Sequence, residues 1–360
     1  MLLQLRNIGM IQEADIKIDG LTVIAGENDT GKSTIGKALF LAIKSDMISL
    51  LKIRNRQATN FKANRINTCN RLLWYIFKNS ICRVEDKTRV NGYLNLIDEG
   101  KLYYGIEFIY NEESGKDKCI SFSGLSDNDF RRFKDAIIIQ TPLILDLYRT
   151  FNSIAIYNQE KEFLGIATQI EYPFILWDLF TKLRLKAGIS EEIVWNEVLG
   201  EEEPFKGDLI VDEQGHVAFK KDSMDTELDL EVLSTGIKSF LLLQMLLKNN
   251  IIIPERFFIF DEPEVHLHPK WQLLYAKLIV NLAQKGIKII VTTHSPYFIE
   301  ALQAYAILAV KQNQLHKDSI NFYLAKDGFF YHNELFSLEK IYTKLSEPLD
   351  DIEKFVEENL

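Results

Sequence analysis

The stretch GENDTGKST, residues 26–34, decides the fold class of this 360-residue chain. Gly26, four further residues and then Gly31-Lys32-Ser33 form the phosphate-loop pattern, in which backbone N–H groups and a helix N-terminus surround the phosphates of a nucleotide. In such a loop, Lys32 would reach the β- and γ-phosphates and the Ser33 hydroxyl would hold Mg²⁺. The alternative is a glycine-rich turn that opens an ordinary helix, with Lys32 solvated.

The flanking sequence favours the phosphate loop. The run LTVIA before it, residues 21–25, is apolar enough to predict a buried strand, and the run IGKALF after it, residues 35–40, predicts a helix. Strand, loop and helix in this order are the setting that phosphate binding requires.

Carboxylates follow a second apolar run, FFIFDEPE, residues 257–264. A buried strand would deliver Asp261 to the edge of the sheet, where it can accept from Mg²⁺-bound water, and Glu262 can orient or deprotonate the attacking water. In isolation, two such acids are often a solvated strand end. About thirty residues further, IIVTTHSPYF places His294 after another apolar run, where its imidazole could form a hydrogen bond with the γ-phosphate.

A second helix start with affinity for anions is predicted in VLSTGIKSF, residues 232–240. Ser234 and Gly236 precede a helix whose N-terminus would favour phosphate. One γ-phosphate does not need two helix ends unless the second serves another copy of the chain. The pattern therefore predicts a dimer in which each subunit completes the other's site.

The order of elements predicts an α/β fold with a largely parallel sheet. Three strands are expected within residues 2–25, a basic helical region over 49–90, a hairpin at YLNLI and LYYGIEFIY followed by a loop, and helices over 125–200. A second hairpin is expected at DLIVDEQGHVAF. From residue 228 onward, helices alternate with the buried strands 256–260 and 287–292, and a third hairpin, FYLAKDGFFYHNELF, and an acidic helix form a tail.

The motifs GENDTGKS, LSTGIKSF, FFIFDEPE and TTHS, in this order, resemble those of ABC-type ATPases of the group that includes RecF, Rad50, SMC and OLD-family proteins, most of all the short bacterial AAA-type proteins without long coiled coils. The resemblance is strong over 1–45 and 205–310. It implies a P-loop ATPase head with a mixed central sheet, an antiparallel β-subdomain and a helical insert. Four segments are expected: 1–48 and 205–312 for the head, 49–204 for the insertion and 313–360 for the hairpin and acidic helix.

The resemblance also implies roles for individual residues. Asp261 and Glu262 would be the Walker B pair, His294 the switch histidine and Gln140, after the run AIII, a Q-loop contact to Mg²⁺. The nucleotide-binding set would be Gly26, Asn28, Gly31, Lys32, Ser33 and Thr34 in the loop, with Ser234, Gly236 and Lys238 as the signature that reaches the opposite subunit's ATP. ATP and Mg²⁺ are the implied cofactors.

Departures from the transporter pattern matter for function. The signature is LSTG with Lys238 where transporter ATPases usually carry LSGGQ, and EVHLHP replaces their usual loop after Walker B, so transport is disfavoured. Only 66 residues follow His294, which disfavours a built-in TOPRIM nuclease. In EVHLHP, His266 and His268 would need further ligands for a structural zinc, and no cysteine lies near.

Composition predicts an ordinary globular cytoplasmic protein with no membrane partner. The hydrophobic content is 47%, the net charge is −9, and no apolar run approaches the ~18 residues of a membrane span. Cys69, Cys82 and Cys119 show no metal spacing and are expected to be reduced.

The charge is unevenly distributed. Ten basic residues against two acidic ones, with aromatic residues between them, lie between Lys52 and Arg89. This region is either a nucleic-acid or partner surface or the solvated face of a helical insert.

The favoured function is an ATPase that forms a homodimer or higher homo-oligomer around ATP and switches a separate effector, such as a nuclease or toxin, in anti-phage defence or nucleic-acid maintenance. The alternatives are a nucleotide-loaded scaffold that holds an effector inactive without turnover, and an ATPase that binds DNA or RNA directly.

Overall fold

The computed structural model describes residues 1–57, 60–124, 133–164, 172–184, 195–199, 205–211, 217–222 and 226–359. The strands are β1 Leu2–Ile8, β2 Ile11–Lys17, β3 Leu21–Gly26, β4 Val84–Glu85, β5 Thr88–Arg89, β6 Gly92–Asp98, β7 Lys101–Asn111, β8 Lys116–Gly124, β9 Asp135–Ile139, β10 Gly207–Val211, β11 Val217–Lys221, β12 Glu227–Asp229, β13 Arg256–Asp261, β14 Lys288–Thr293, β15 Ile320–Lys326 and β16 Phe329–Asn333. The helices are α1 Lys32–Arg54, α2 Phe61–Phe77, α3 Leu143–Asp146, α4 Tyr148–Leu164, α5 Phe174–Arg184, α6 Trp195–Leu199, α7 Thr235–Lys248, α8 Pro269–Gln284, α9 Pro296–Lys311 and α10 Glu339–Asn359.

One sheet of eleven strands organises the molecule, in the order β8-β7-β6-β1-β2-β16-β15-β3-β14-β13-β9. The strands from β15 to β9 run parallel to one another, whereas β1, β2, β6, β7 and β8 pair antiparallel. The sheet is therefore mixed, and the α/β fold class with a mixed central sheet and an antiparallel β-subdomain is confirmed.

The parallel strands are largely apolar because helices cover both of their faces. Every residue of β3 and β9 is buried. Successive residues of β3 and of β13 point into opposite cores. Val23 and Phe258 pack in the core that contains α7, α8 and α9, whereas Ile24 and Ile259 pack in the core that contains α1 and α2. A continuous hydrophobic run is what a strand buried on both faces requires.

The region after α1 differs from its predicted form. The helical prediction for 49–90 fails beyond residue 77, because Lys78 and Asn79 adopt left-handed backbone conformations that end α2, and the short strands β4 and β5 follow. The hairpin of β6 and β7 is confirmed. The loop predicted after it is a tight turn, which leads into β8 as a third strand.

The third predicted hairpin is also confirmed, but its place in the fold was not expected. β15 pairs parallel with β3, with Phe322 opposite Val23, and β16 pairs with β2. The hairpin is therefore part of the central sheet and not a tail. Strands from all four predicted segments enter the same sheet, and α10 follows this hairpin in the chain.

A buried ionic network fastens α5 of the helical insert to the head. Lys44 on α1 is fully buried, and its Nζ lies 2.5 Å from Asp135 and 2.7 Å from Asp178 of α5. Lys182 of α5 lies 2.7 Å from the other oxygen of Asp135. Burial alone lowers the pKa of Lys44, but Asp178 and Asp135 raise it overall, so the ammonium is charged.

We expect Lys44→Met to destabilise the protein strongly. The methionine keeps the bulk of the side chain but removes the cation shared by two buried carboxylates. Among the described residues, Asp135 keeps its pair with Lys182 and Asp178 keeps no pair, so the change costs about 3–5 kcal/mol. Chemical denaturation measures the loss. The control is Lys285→Met, which breaks the exposed pair with Glu197 and should cost under about 1 kcal/mol. Equal losses in the two variants would contradict a supporting role for the Lys44 network.

Candidate nucleotide site

The phosphate loop joins β3 to α1 at the carboxyl ends of the parallel strands, where open α/β sheets bind ligands. Gly31 immediately precedes α1 with a φ of 90°, and a Cβ there would lie 2.9 Å from Ile11 Cγ1. Glycine is thus required at that position by both conformation and space. Asn28 is exposed on the loop, and the backbone N–H of Thr34 donates to Gly31 O.

Lys32 curls back over the loop that precedes it. Its side chain is buried, and its Nζ donates to Glu27 O at 2.5 Å. Burial lowers the pKa of Lys32, and the carboxylates of Glu262 and Asp261 oppose that shift. The ammonium is therefore held at the phosphate loop itself, where phosphates would be bound.

The Asp261 carboxylate collects hydrogen bonds from three other segments. Ser33 Oγ donates to Oδ1 at 2.7 Å and Thr292 Oγ1 donates to the same atom at 2.5 Å. Gln140 Nε2, at the end of β9, donates to Oδ2 at 2.9 Å. The structure thus brings Ser33, Gln140 and Asp261 together, as the prediction for a magnesium site requires. Hydroxyl, amide and carboxylate oxygens are ligands that suit Mg²⁺, so the donor set fits the ion.

Glu262 and His294 meet beside this cluster. The Glu262 backbone is left-handed, with a φ of 52°, and its N–H donates to Thr292 O at 2.9 Å. A non-glycine residue in this conformation is uncommon and is often found at functional sites. The turn directs the carboxylate to His294, with 3.3 Å between Glu262 Oε1 and His294 Nδ1. Both side chains remain partly accessible.

Two residues of the site carry no predicted role although they lie within the quoted motifs. Thr292 is the second donor to Asp261 Oδ1, and Glu264 is a carboxylate only 3% exposed next to His294. Burial raises the pKa of Glu264, and the hydrogen bond from Thr293 opposes the shift. A hydroxyl on the strand before His294 and a carboxylate three residues after Asp261 were the available signals in the sequence.

The predicted signature residues lie apart from this cluster. Ser234 is exposed and caps α7 by accepting from the Ile237 N–H, and a Cβ on Gly236 would lie 2.6 Å from the ring of Trp271. Lys238 is buried and donates to Asp146 at 2.5 Å. Within the described part of the chain, no hydrogen bond or ion pair joins these three residues to the phosphate loop. Glycine is required at 236 for packing on α8, and Lys238 is engaged inside its own subunit.

EVHLHP supplies a helix cap. His268 precedes α8, and its Nδ1 accepts from the Lys270 N–H at 3.3 Å. His266 adopts a left-handed conformation in the preceding turn. A cavity of about 60 Å³ lies between this turn and the end of β9, lined by Gln140, Glu262 and Tyr275 among others.

A family profile described as "AAA domain, putative AbiEii toxin, Type IV TA system" matches residues 112–300, more than half of the chain. The chain belongs to this AAA family. The match contains β9, β13, β14 and His294, and the phosphate loop precedes it. The resemblance to AAA-type P-loop proteins is thereby confirmed. A comparison with curated proteins finds no match.

Solved structures overlap with this AAA chain over most of its length at low identity. The SMC head domain from Thermotoga maritima is 15% identical, with 92% of this chain and 97% of that one covered and a TM-score of 0.43. An SMC head with an extended coiled coil, bound to the C-terminal domain of ScpA and derived from Pyrococcus furiosus, is 16% identical, with 96% and 98% covered and a TM-score of 0.44. An ATP-binding cassette of an ABC transporter in its ADP conformation is 13% identical, with 99% and 98% covered and a TM-score of 0.37.

The C-terminal helix of the AAA chain contacts the phosphate loop. Lys344 of α10 forms an ion pair with Glu27 at 3.2 Å and contacts Glu347 one turn further along. Tyr342 OH donates to Gln303 on α9 at 2.9 Å, and Ile341 is buried in the core. These contacts hold the first half of α10 beside the loop. Among the described residues, no helix is long and apolar enough to cross a bilayer.

The basic region is less available for a polyanion than its composition suggests. Arg65 is buried against Asp46, Arg89 lies 2.8 Å from the buried Asp117, and Arg83 pairs with Glu85 at 3.3 Å. The other seven cations are exposed or half-buried: Lys52, Arg54, Arg56, Lys62, Arg71, Lys78 and Lys87. Three of the ten basic residues are thus already paired with carboxylates of the chain.

We expect Lys32→Ala to weaken ATP binding about 10- to 100-fold, because hydrogen bonds to a charged group contribute about 1.5–3 kcal/mol. Calorimetric titration with ATP and Mg²⁺ measures the change. The control is Lys118→Ala, an exposed lysine on β8 near the far edge of the sheet, which should leave the affinity unchanged. Unaltered affinity in Lys32→Ala would contradict a phosphate contact by this residue.

Proposed function

We propose that this protein binds and hydrolyses ATP, dimerises around the nucleotide and uses that closure as a conformational switch for a separate effector. The observation that carries the proposal is the convergence on Asp261 of side chains from α1, β9 and β14, with Glu262 and His294 in contact beside it. These are the groups that phosphoryl transfer to water needs: a phosphate clamp, a metal-binding carboxylate and a group that orients water.

Each residue has a distinct part in this proposal. Lys32 and the loop N–H groups would bind the phosphates, while Ser33, Asp261 and Gln140 would hold Mg²⁺. The ion, when bound, neutralises charge on the β- and γ-phosphate oxygens. Glu262 would accept a proton from the attacking water or orient it, and the partly exposed His294 would contact the γ-phosphate.

The dimer is proposed from the position of the signature. Ser234 lies exposed at the N-terminus of a fourteen-residue helix, where free N–H groups favour anions, and it is not bonded to its own phosphate loop. A second copy could present this helix end to the nucleotide. Because Lys238 is engaged with Asp146, the contact across the dimer would come from Ser234 and the helix end. ATP drives such a switch only through its higher affinity for the closed state.

For the biological role, we propose anti-phage defence or nucleic-acid maintenance, with a nuclease or toxin as the separate effector. The description of the matched family names a toxin and a type IV toxin–antitoxin system, which supports defence. A fold hosts many functions, so this step rests on family membership and not on the geometry of the site.

We expect Glu262→Gln to lower phosphate release at least about 100-fold, because general-base catalysis contributes about 10²–10⁴-fold. Light scattering in ATP and Mg²⁺ should show that the variant accumulates as a dimer. The control is Glu255→Gln, an exposed carboxylate immediately before β13, which should behave as the wild type. Unchanged hydrolysis in Glu262→Gln would show that the role given to Glu262 is wrong.

The same experiment separates a nucleotide-loaded scaffold from a switch. A scaffold would bind ATP and hold an effector without measurable phosphate release from the wild type, and its assembly would be indifferent to nucleotide. The Glu262–His294 contact at 3.3 Å favours turnover, because a scaffold needs no group that orients water.

A second candidate, direct binding of DNA or RNA, is favoured by the exposed cations between residues 52 and 87. Reversing the charge of Arg54, Arg56, Lys62 and Arg71 should then abolish salt-dependent binding of an oligonucleotide, because each phosphate contact contributes to the salt slope. The control reverses four exposed lysines elsewhere: Lys101, Lys116, Lys118 and Lys220. If both fourfold variants bind like the wild type in fluorescence anisotropy, this candidate fails.

A further inference from the structure

Glu264 is a carboxylate in an environment that disfavours charge. It lies three residues beyond Asp261, its side chain is 3% exposed, and Oε2 has no hydrogen-bond partner among the described residues. Burying a carboxylate is costly unless its oxygens accept hydrogen bonds. A glutamate in this position therefore calls for a reason beyond packing.

The partners of Glu264 belong to the strand end that carries the histidine. Oε1 accepts from Thr293 Oγ1 at 2.5 Å and from the His294 backbone N–H at 3.3 Å. The same oxygen lies 3.8 Å from His294 Nδ1, while Glu262 Oε1 lies 3.3 Å from it. The His294 imidazole thus lies close to two carboxylates, and both belong to the turn that follows β13.

The turn itself explains why both carboxylates point the same way. Glu262 is left-handed, Val265 N–H donates to Glu262 O at 3.2 Å, and Leu267 N–H donates to Glu264 O at 3.0 Å. These bonds fold the segment tightly back on itself. The two glutamates, separated only by a proline, are consequently presented together to the end of β14.

A chain of hydrogen bonds continues from Glu264 into the helices. Thr293 Oγ1 donates to Glu264 and accepts from the Ser295 N–H at 3.1 Å. Ser295 in turn caps α9 by accepting from the Phe298 N–H, and its Oγ donates to Gln272 on α8 at 3.3 Å. The orientation of the residues around His294 therefore depends on an acceptor at Glu264.

We propose that Glu264 is a positioning residue of the ATPase site. It holds Thr293 and the His294 backbone, so that the His294 imidazole keeps its contact with the Glu262 carboxylate. The inference rests on the proposed function for its catalytic consequence, but the geometry it describes belongs to the protein alone. Glu264 acts through His294 and needs no contact with the nucleotide.

An acceptor, not a charge, is what this role requires. Burial raises the pKa of Glu264, a shift that favours the neutral acid. The carbonyl oxygen of a glutamine can accept the bonds that Oε1 accepts, whereas a leucine of similar size cannot. Glu264→Gln and Glu264→Leu are therefore a matched pair that separates positioning from packing.

The experiment measures kcat, the affinity for ATP and the imidazole ¹⁵N signals of His294 in the full chain. Glu264→Leu should lower kcat about 10- to 100-fold, the cost of a small misplacement of a catalytic group, with an unchanged ATP affinity and shifted His294 signals. Glu264→Gln should retain kcat within about threefold and keep the wild-type His294 signals. This tolerance contrasts with the loss expected for Glu262→Gln.

Thr293→Val keeps the inference testable if Glu264→Leu does not fold. It removes the hydroxyl that donates to Glu264 and should lower kcat and shift the His294 signals in the same direction. The inference is overturned if kcat and the His294 signals are unchanged in Glu264→Leu or Thr293→Val, or if Glu264→Gln loses as much as the leucine variant. If the wild type does not hydrolyse ATP, the proposed function fails. The His294 signals of the variants then still test whether Glu264 positions His294.

Discussion

The rest of the site depends on the hydrogen bonds that the Asp261 carboxylate accepts. It accepts from side chains of three other elements, and each of these comes from the end of a strand or the start of a helix at the same edge of the sheet. Parallel pairing with matched register makes this convergence possible, because β3, β14, β13 and β9 end side by side. The buried cores on the two faces of the sheet hold that register, so packing far from the site fixes its geometry.

The turn after Asp261 converts this fixed edge into two differently placed acids. A left-handed residue such as Glu262 costs free energy, and here the Glu262 N–H to Thr292 O bond and the turn that follows stabilise it. Asp261 stays among hydroxyl and amide donors, Glu262 stays accessible, and Glu264 turns inward. Three carboxylates within four residues thus have three environments, and these environments suit the three roles proposed for them: metal binding, water activation and positioning.

The sequence was informative where chemistry and local periodicity coincide. The strand–loop–helix around Gly31, the strand that ends at Asp261 and the helices from residue 235 onward are local patterns, and the bounds predicted for the two buried strands, 256–260 and 287–292, agree with β13 and β14 within one residue. Pairings between distant segments have no local signature: β3 lies beside β15, with Val23 opposite Phe322, and periodicity says nothing of that neighbour. The role of Glu264 depends on its hydrogen bond with Thr293, which joins the ends of two different strands. The sequence therefore shows the motif that contains Glu264 but does not show this partner. Lys238 was assigned by position in a motif, and Asp146, a partner from a distant segment, turns it inward.

The strand β9 links the site to the helical insert through both of its ends. Asp135 begins the strand and joins the buried network with Lys44 and Lys182, and Gln140 follows its last residue and donates to Asp261. All five residues of β9 are buried, and the strand pairs with β13 along its length. A shift of α5 that carried β9 with it would draw Gln140 from Asp261, and a shift of α5 alone would separate buried charges. Because breaking buried pairs is costly, we expect the insert and the edge of the sheet at Asp261 to move together, which would couple the proposed nucleotide site to the surface of the insert.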